Sequence, residues 1–143
     1  MEMSDTTYNI RSYAADDFEL ITGWWLAHDG QRRPQSILPK CGVICEIDGQ
    51  PAAALFLHMD NSCGMCMVEH AVSRPGLSLK KARTAFGHCV AVLKKIAGLH
   101  GYHTMAVYCP EPIAYILQRA GFSRGEENLV QLFSAVETEV SHG

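Results

Sequence analysis

The segment from Ser78 to Gly101 constrains the fold more than any other part of the chain. Leu79, Ala82, Phe86, Cys89, Val90, Leu93, Ile96 and Ala97 recur at intervals of three and four, the period of a helix with one apolar face. Ser78 is placed to cap its start, and the glycines between Gly98 and Gly101 to end it. β-prone runs flank it, Met65 to Val72 before and Thr104 to Cys109 after. A strand, a long helix and a second strand form a crossover that sets the two strands parallel and lays the helix on a face of the sheet.

The remaining elements supply the rest of that sheet. Gly42 to Ile47 and Pro51 to His58 are two strand-like runs joined at Asp48-Gly49, a dipeptide that accepts the positive φ angles of a two-residue hairpin turn. Met65 to Val72 then extends the hairpin into a meander. Tyr8 to Tyr13 alternates as a first strand, and from Ala15 to His28 the positions Phe18, Ile21, Trp25 and His28 keep helical spacing, with Asp16 and Asp17 in the first turn. Trp24 falls about 100° off that stripe, which predicts partial burial. The stretch Asp29 to Lys40 has Gly30, two prolines and no period, so it reads as a loop, and its Arg32 and Arg33 suit an acidic or phosphorylated partner. Ile113 to Ala120 reads as a short helix halted by Gly121, and Leu129 to Val136 as a last strand. The order is β-α-β-β-β-α-β-α-β. It describes an α/β (α+β) domain with a mixed, mostly antiparallel sheet and helices on both faces. One domain over residues 1–136 is expected, with residues 137–143 as a frayed tail.

Composition narrows the function classes. A chain of 143 residues, 48% hydrophobic and 19% charged, lies within the range of single globular domains. Its net charge of -3 argues against a nucleic-acid partner held by bulk charge. No apolar stretch approaches the roughly 18 to 20 residues of a membrane span. The first seven residues lack the basic and apolar regions of a signal peptide, so a cytoplasmic location is expected. Six cysteines are then read as thiols, four of them inside apolar runs.

The element order resembles the GNAT superfamily of N-acyltransferases. The C-terminal half carries the resemblance: a strand ending in Val72, a turn, the long helix, the Gly101-Tyr102 break, a strand, and then Ala120-Gly121-Phe122, which is similar to the family's last helix running into Gly-Phe. The similarity covers roughly Tyr8 to Phe133. It implies an acyl-CoA-dependent N-acetyltransferase acting on an amine, small-molecule or protein, with acetyl-CoA as cosubstrate and no metal. The oligomeric state is open, a homodimer included.

The resemblance implies that acyl-CoA lies in a gap between the third meander strand and the strand after the long helix, its pantetheine along an open strand edge and its pyrophosphate at the helix start. Those parts correspond to Ala71 and Val72 for the edge, and to Ser73, Arg74, Gly76, Ser78, Lys80, Lys81 and Ala82 for the loop and first turn. The family loop reads Arg/Gln-x-x-Gly-x-Gly/Ala. An ungapped alignment from Val72 puts Leu77, Lys80 and Ala82 at those positions, and only Ala82 matches. A shorter alignment uses Arg74, Gly76 and Ser78 and starts the helix about a turn early. Lys80, Lys81 and Arg83 crowd the first turn, where cations oppose the helix dipole unless an anion binds.

Transfer to an amine needs a base and an acid. Glu69 occupies the strand position where many family members carry the carboxylate base. Strand alternation puts His70 on the opposite face from it. The family's acid, a Tyr five residues before the Phe of Gly-Phe, corresponds to Leu117. Tyr115, two residues earlier, points about 200° away, a direction that also fits core packing. Tyr108, at the end of the preceding strand, is the other candidate acid.

Two alternatives stand beside this reading. Cys63-Gly-Met-Cys66 has zinc-knuckle spacing, and His58 and His70 flank it, so a His-Cys-Cys-His set is conceivable, against two reduced cysteines in a hairpin. The diverged loop and Leu117 also fit a GNAT-like module that has lost catalysis and serves binding or assembly.

Overall fold

The computed structural model describes residues 5–136. Five strands form one sheet in sequence order: β1 (Tyr8–Ser12), β2 (Cys41–Ile47), β3 (Gln50–Met59), β4 (Met65–Ser73) and β5 (Thr104–Val107). β1 through β4 pair antiparallel, and β5 joins β4 in parallel through the crossover helix α2 (Leu79–Leu99). The remaining helices are α1 (Phe18–His28), entered through a 3-10 turn at Ala15–Asp17, and α3 (Glu111–Arg119). The sheet is mixed and mostly antiparallel, as expected.

The hairpin between β2 and β3 turns on Asp48 and Gly49 alone, with φ of 50° and 81°. This is the two-residue geometry that Asp-Gly favours. Arg11 of β1 forks onto Asp17 at 2.8 and 2.9 Å and reaches Glu46 of β2 at 3.0 Å, fastening the start of α1 to the sheet edge. Ala52 to Leu57 of β3 are all buried, because this central strand has a helix layer on each face.

Two apolar layers result. Val43, Cys45, Leu55, Leu57, Cys66 and Val68 meet Phe86, Cys89, Val90 and Leu93 of α2 on one face, joined by Ile116 and Leu117 of α3. Ile44, Ala54, Phe56 and Val72 meet Ile21, Trp24 and Trp25 of α1 on the other. Trp24 is as fully buried as Trp25, more than its position off the stripe predicts. At the end of α3 the Phe122 and Gly121 amides return to the Leu117 and Gln118 carbonyls at 3.1 and 3.2 Å. That αL cap needs Gly121 at φ 101°, which explains the Gly-Phe pair.

One expected element is missing. Residues 129–136 form no strand, and Val130, Leu132, Phe133 and Val136 are 80 to 87% exposed. An apolar run predicts a strand but does not supply a partner. Among the described residues, β5 is paired on its β4 side only. The expected frayed tail lies outside the described residues. Among the described residues, no helix is long and apolar enough to cross a membrane.

Candidate functional site

The sheet opens between β4 and β5. Their pairing runs from Met65 and Thr104 to Val68 and Val107 and stops, while β4 continues to Ser73. The expected strand to Cys109 therefore ends at Val107, because β4 has diverged beyond it. Glu69 and Tyr108 are the first residues past the last pair. Val68 and Val107 both pack toward α2, so strand alternation turns Glu69 and Tyr108 to the other face, the α1 side.

The divergence begins at a bulge. Ala54 pairs with Val72 and Phe56 with Glu69, so His70 and Ala71 together face the single residue Leu55. His70 takes φ 57°, a left-handed conformation that costs a non-glycine residue about 1 to 2 kcal/mol. The extra residue resets the phase of the strand. His70 consequently does not face away from Glu69: its ring packs edge-on against Trp25 and Phe56, at centroid distances of 6.4 and 6.3 Å on the α1 side. The alternation expected for His70 fails because alternation assumes an unbroken ladder.

Glu69 is 28% exposed at its side chain. Its Oε1 lies 3.7 Å from His58 Nδ1 and its Oε2 3.7 Å from His70 Nε2. Burial pushes the His70 pKa down, as does the charge of Arg33, while Glu69 acts in the opposite sense. His58 also walls a depression of about 360 Å³ between residues 36–41 and the end of β3. That depression lies against the end of the loop that carries Arg32 and Arg33, and its wall residue His58 contacts Glu69. A larger groove, about 470 Å³, lies along Thr104 and Met105 at the β5 edge with Lys94 and Phe122, away from the carboxylate.

The β4 to α2 connection is short. Arg74-Pro75-Gly76-Leu77 closes a turn, with Leu77 N donating to Arg74 O at 3.2 Å and Gly76 at φ 80°. Ser78 Oγ then caps α2 by accepting from Lys81 N at 3.2 Å. This is the compressed arrangement of Arg74, Gly76 and Ser78. Arg74 does not turn to the helix start: its Nη1 donates to Pro51 O at 3.2 Å and its backbone amide to Ala52 O at 2.7 Å. Ala82 N bonds to Ser78 O at 2.9 Å, and the Leu79 and Lys80 amides have no acceptor among the described residues. Lys80 and Lys81 are exposed there, with no acidic residue in the turn. Val72 and Ala82 are core residues, so they offer a ligand backbone only. His28 Nε2 meets Ser73 O at 2.7 Å, tying α1 to the end of the open strand.

The candidate acids separate clearly. Leu117 is 2% exposed and faces the core. Tyr115 does not pack inward; it is 56% exposed beneath the Arg119 guanidinium, 5.5 Å from its ring. Tyr108 is 69% exposed at the mouth of the divergence. Cys66 is buried on the α2 side, its Sγ donating to Thr104 O at 3.5 Å, while Cys63 is exposed and both histidines sit on the α1 side. No metal-ligating cluster forms among the described residues. The bulge and the two faces of β4 keep the four apart.

Solved structures share this architecture. A transcriptional regulator from Bacillus halodurans C-125 matches with a TM-score of 0.64 and 14% identity, over 89% of this chain and 100% of its own. Aminoglycoside 6'-N-acetyltransferase AAC(6')-Ih from Acinetobacter baumannii matches at 0.63 and 14%, over 92% and 100%. The fold is that of the GNAT acetyltransferases. Aminoglycoside N-acetyltransferase AAC(6')-Iy, solved in complex with CoA, matches at 0.62 and 15%, over 94% and 100%. No protein-family profile and no curated protein sequence matches the chain. The comparisons thus support the likeness through the fold alone.

Proposed function

We propose that this chain is a single-domain N-acetyltransferase that takes acetyl-CoA in the divergence between β4 and β5 and transfers the acetyl group to an amine. The observation that carries the reading is the position of Glu69, the first residue past the last β4–β5 pair, with its carboxylate on the side of the loop depression. The edge of residues 69–72, unpaired with β5 and beyond the last β4–β5 pair, suits the pantetheine amides. The open amides of Leu79 and Lys80, with the Lys80 and Lys81 side chains, suit the phosphates. Ala71, Val72, Ser73, Gly76 and Ser78 shape the path between them; Arg74, held by Pro51, contributes structure.

Acetyl-CoA supplies the activated thioester. Glu69 takes the proton from the incoming ammonium, directly or through one water, and Tyr108 returns a proton to the departing thiolate. Tyr115 is less suited, since its helix turns it to solvent beside Arg119. The six free cysteines fit a reducing, cytoplasmic setting. Release of free CoA thiol from acetyl-CoA, measured across a panel of amines, tests the reading; amine-dependent release supports it. A second reading, a GNAT-like module without catalysis, is favoured by one observation, the buried aliphatic Leu117 where the family places its acid. CoA binding without thiol release toward any amine would select it.

A further inference from the structure

The loop between α1 and β2 brings one cation into the α1-side layer next to the candidate base. Arg33 Cζ lies 4.5 Å from the centroid of the Trp25 ring, and Trp25 is 2% exposed. Asp29 Oδ2 holds Arg33 Nη2 at 3.4 Å, a long contact for a charged pair. Arg33 Nη1 is buried and has no hydrogen-bond partner among the described residues, and neither has Trp25 Nε1. His70 packs edge-on against the same Trp25 and reaches Glu69 at 3.7 Å with its Nε2. A stacked, half-partnered guanidinium therefore sits one imidazole away from the carboxylate.

Buried guanidinium donors are satisfied in folded proteins, and a planar fork matches a carboxylate in two bonds. The charges around Arg33 limit the anion. Asp29 already neutralises part of it, Glu69 stands nearby, and burial disfavours the charged form of His70. A single cation, only loosely held by Asp29, suits a monoanion and not a phosphate dianion. We propose that Arg33, stacked on Trp25, is an acceptor subsite for a carboxylate, so that the acetyl acceptor is an amine that also carries a carboxylate, as an amino acid does. The substrate carboxylate displaces the long Asp29 contact or joins it at Nη1, and the Glu69–His70 pair then faces the amino end. This rests on the transferase reading for the role of Glu69, but the subsite itself is a binding claim.

Calorimetric titration of the protein with L-α-amino acids and with the matching amino-acid amides tests it without turnover. The amides keep the amine and remove the negative charge. For the preferred side chain, the acid should bind at least about tenfold tighter than its amide, the low end for a charge-assisted pair. Arg33→Gln should bring the two affinities together, and Arg33→Lys should retain part of the difference. Lys40→Gln, which removes a like charge from the neighbouring depression, should leave the preference in place. Equal binding of acid and amide, no binding of either, or a preference that follows Lys40 would overturn the subsite. Acetyl-CoA binding in the same titrations reports on the transferase reading separately.

Discussion

Glu69 Oε2 lies 3.7 Å from Nε2 of His70, its own neighbour in the chain, an approach that a regular strand does not allow. The bulge at His70 and Ala71 produces it, and the same bulge lets β4 swing away from β5. A Glu69→Gln variant keeps the shape and removes the base. Turnover should fall by about 10² to 10⁴ with acetyl-CoA affinity unchanged. Unaltered turnover in steady-state assays would remove Glu69 from the chemistry.

His70 gives a pH signature in stability. Burial, reinforced by Arg33 and offset in part by Glu69, lowers its pKa below the ordinary value of 6.5. As pH falls, the unfolded chain takes up this proton before the folded chain does, so the unfolded state binds more protons in that window and stability drops. His70→Asn tolerates the left-handed backbone and cannot titrate there. The stability of the wild type relative to His70→Asn should decline as pH is lowered from about 7 through the region below 6.5. Chemical denaturation at several pH values measures it, and a pH-independent difference would contradict the burial of a neutral ring.

Tyr108 and Tyr115 make a paired test of the acid. Tyr108→Phe should reduce turnover by about 10² if its hydroxyl protonates the thiolate, with the loss smaller for acceptor assays using a more acidic thioester leaving group. Tyr115→Phe should leave the rate unchanged, since that ring lies exposed under Arg119. Equal losses in both would show that neither acts as the acid.

Much of the fold is legible because its determinants are local. The 3-4 spacing from Leu79 to Ala97 yields α2, and Asp48-Gly49 yields the β2–β3 hairpin. Glu69 could also be placed on its strand from the sequence. His70 could not, because a bulge depends on pairing with β3, and no local signal marks Leu55 as the residue opposed by two. For Arg33, with Arg32, the sequence suggests only an acidic or phosphorylated partner; its stacking on Trp25 arises from a loop whose path has no periodicity to read. The strand expected over Leu129 to Val136 is apolar, yet a strand exists only where a neighbouring edge pairs with it.

That segment yields its own expectation. Leu132 and Phe133 are 86 and 83% exposed, so replacing both by Ser should change stability by no more than about 0.5 kcal/mol per site. A much larger loss in thermal melts would indicate that residues 129–136 dock on the open edge of β5.

Thermal melting with and without acetyl-CoA tests the central assignment most directly. A cosubstrate held along residues 69–72 and at the Leu79 and Lys80 amides stabilises the folded chain by about 2.7 kcal/mol at a hundredfold excess over its dissociation constant. For a domain of this size that is a rise of roughly 6 to 12 °C. A clear, saturable rise with acetyl-CoA is the result expected; an unchanged melting temperature at millimolar acetyl-CoA would contradict the site.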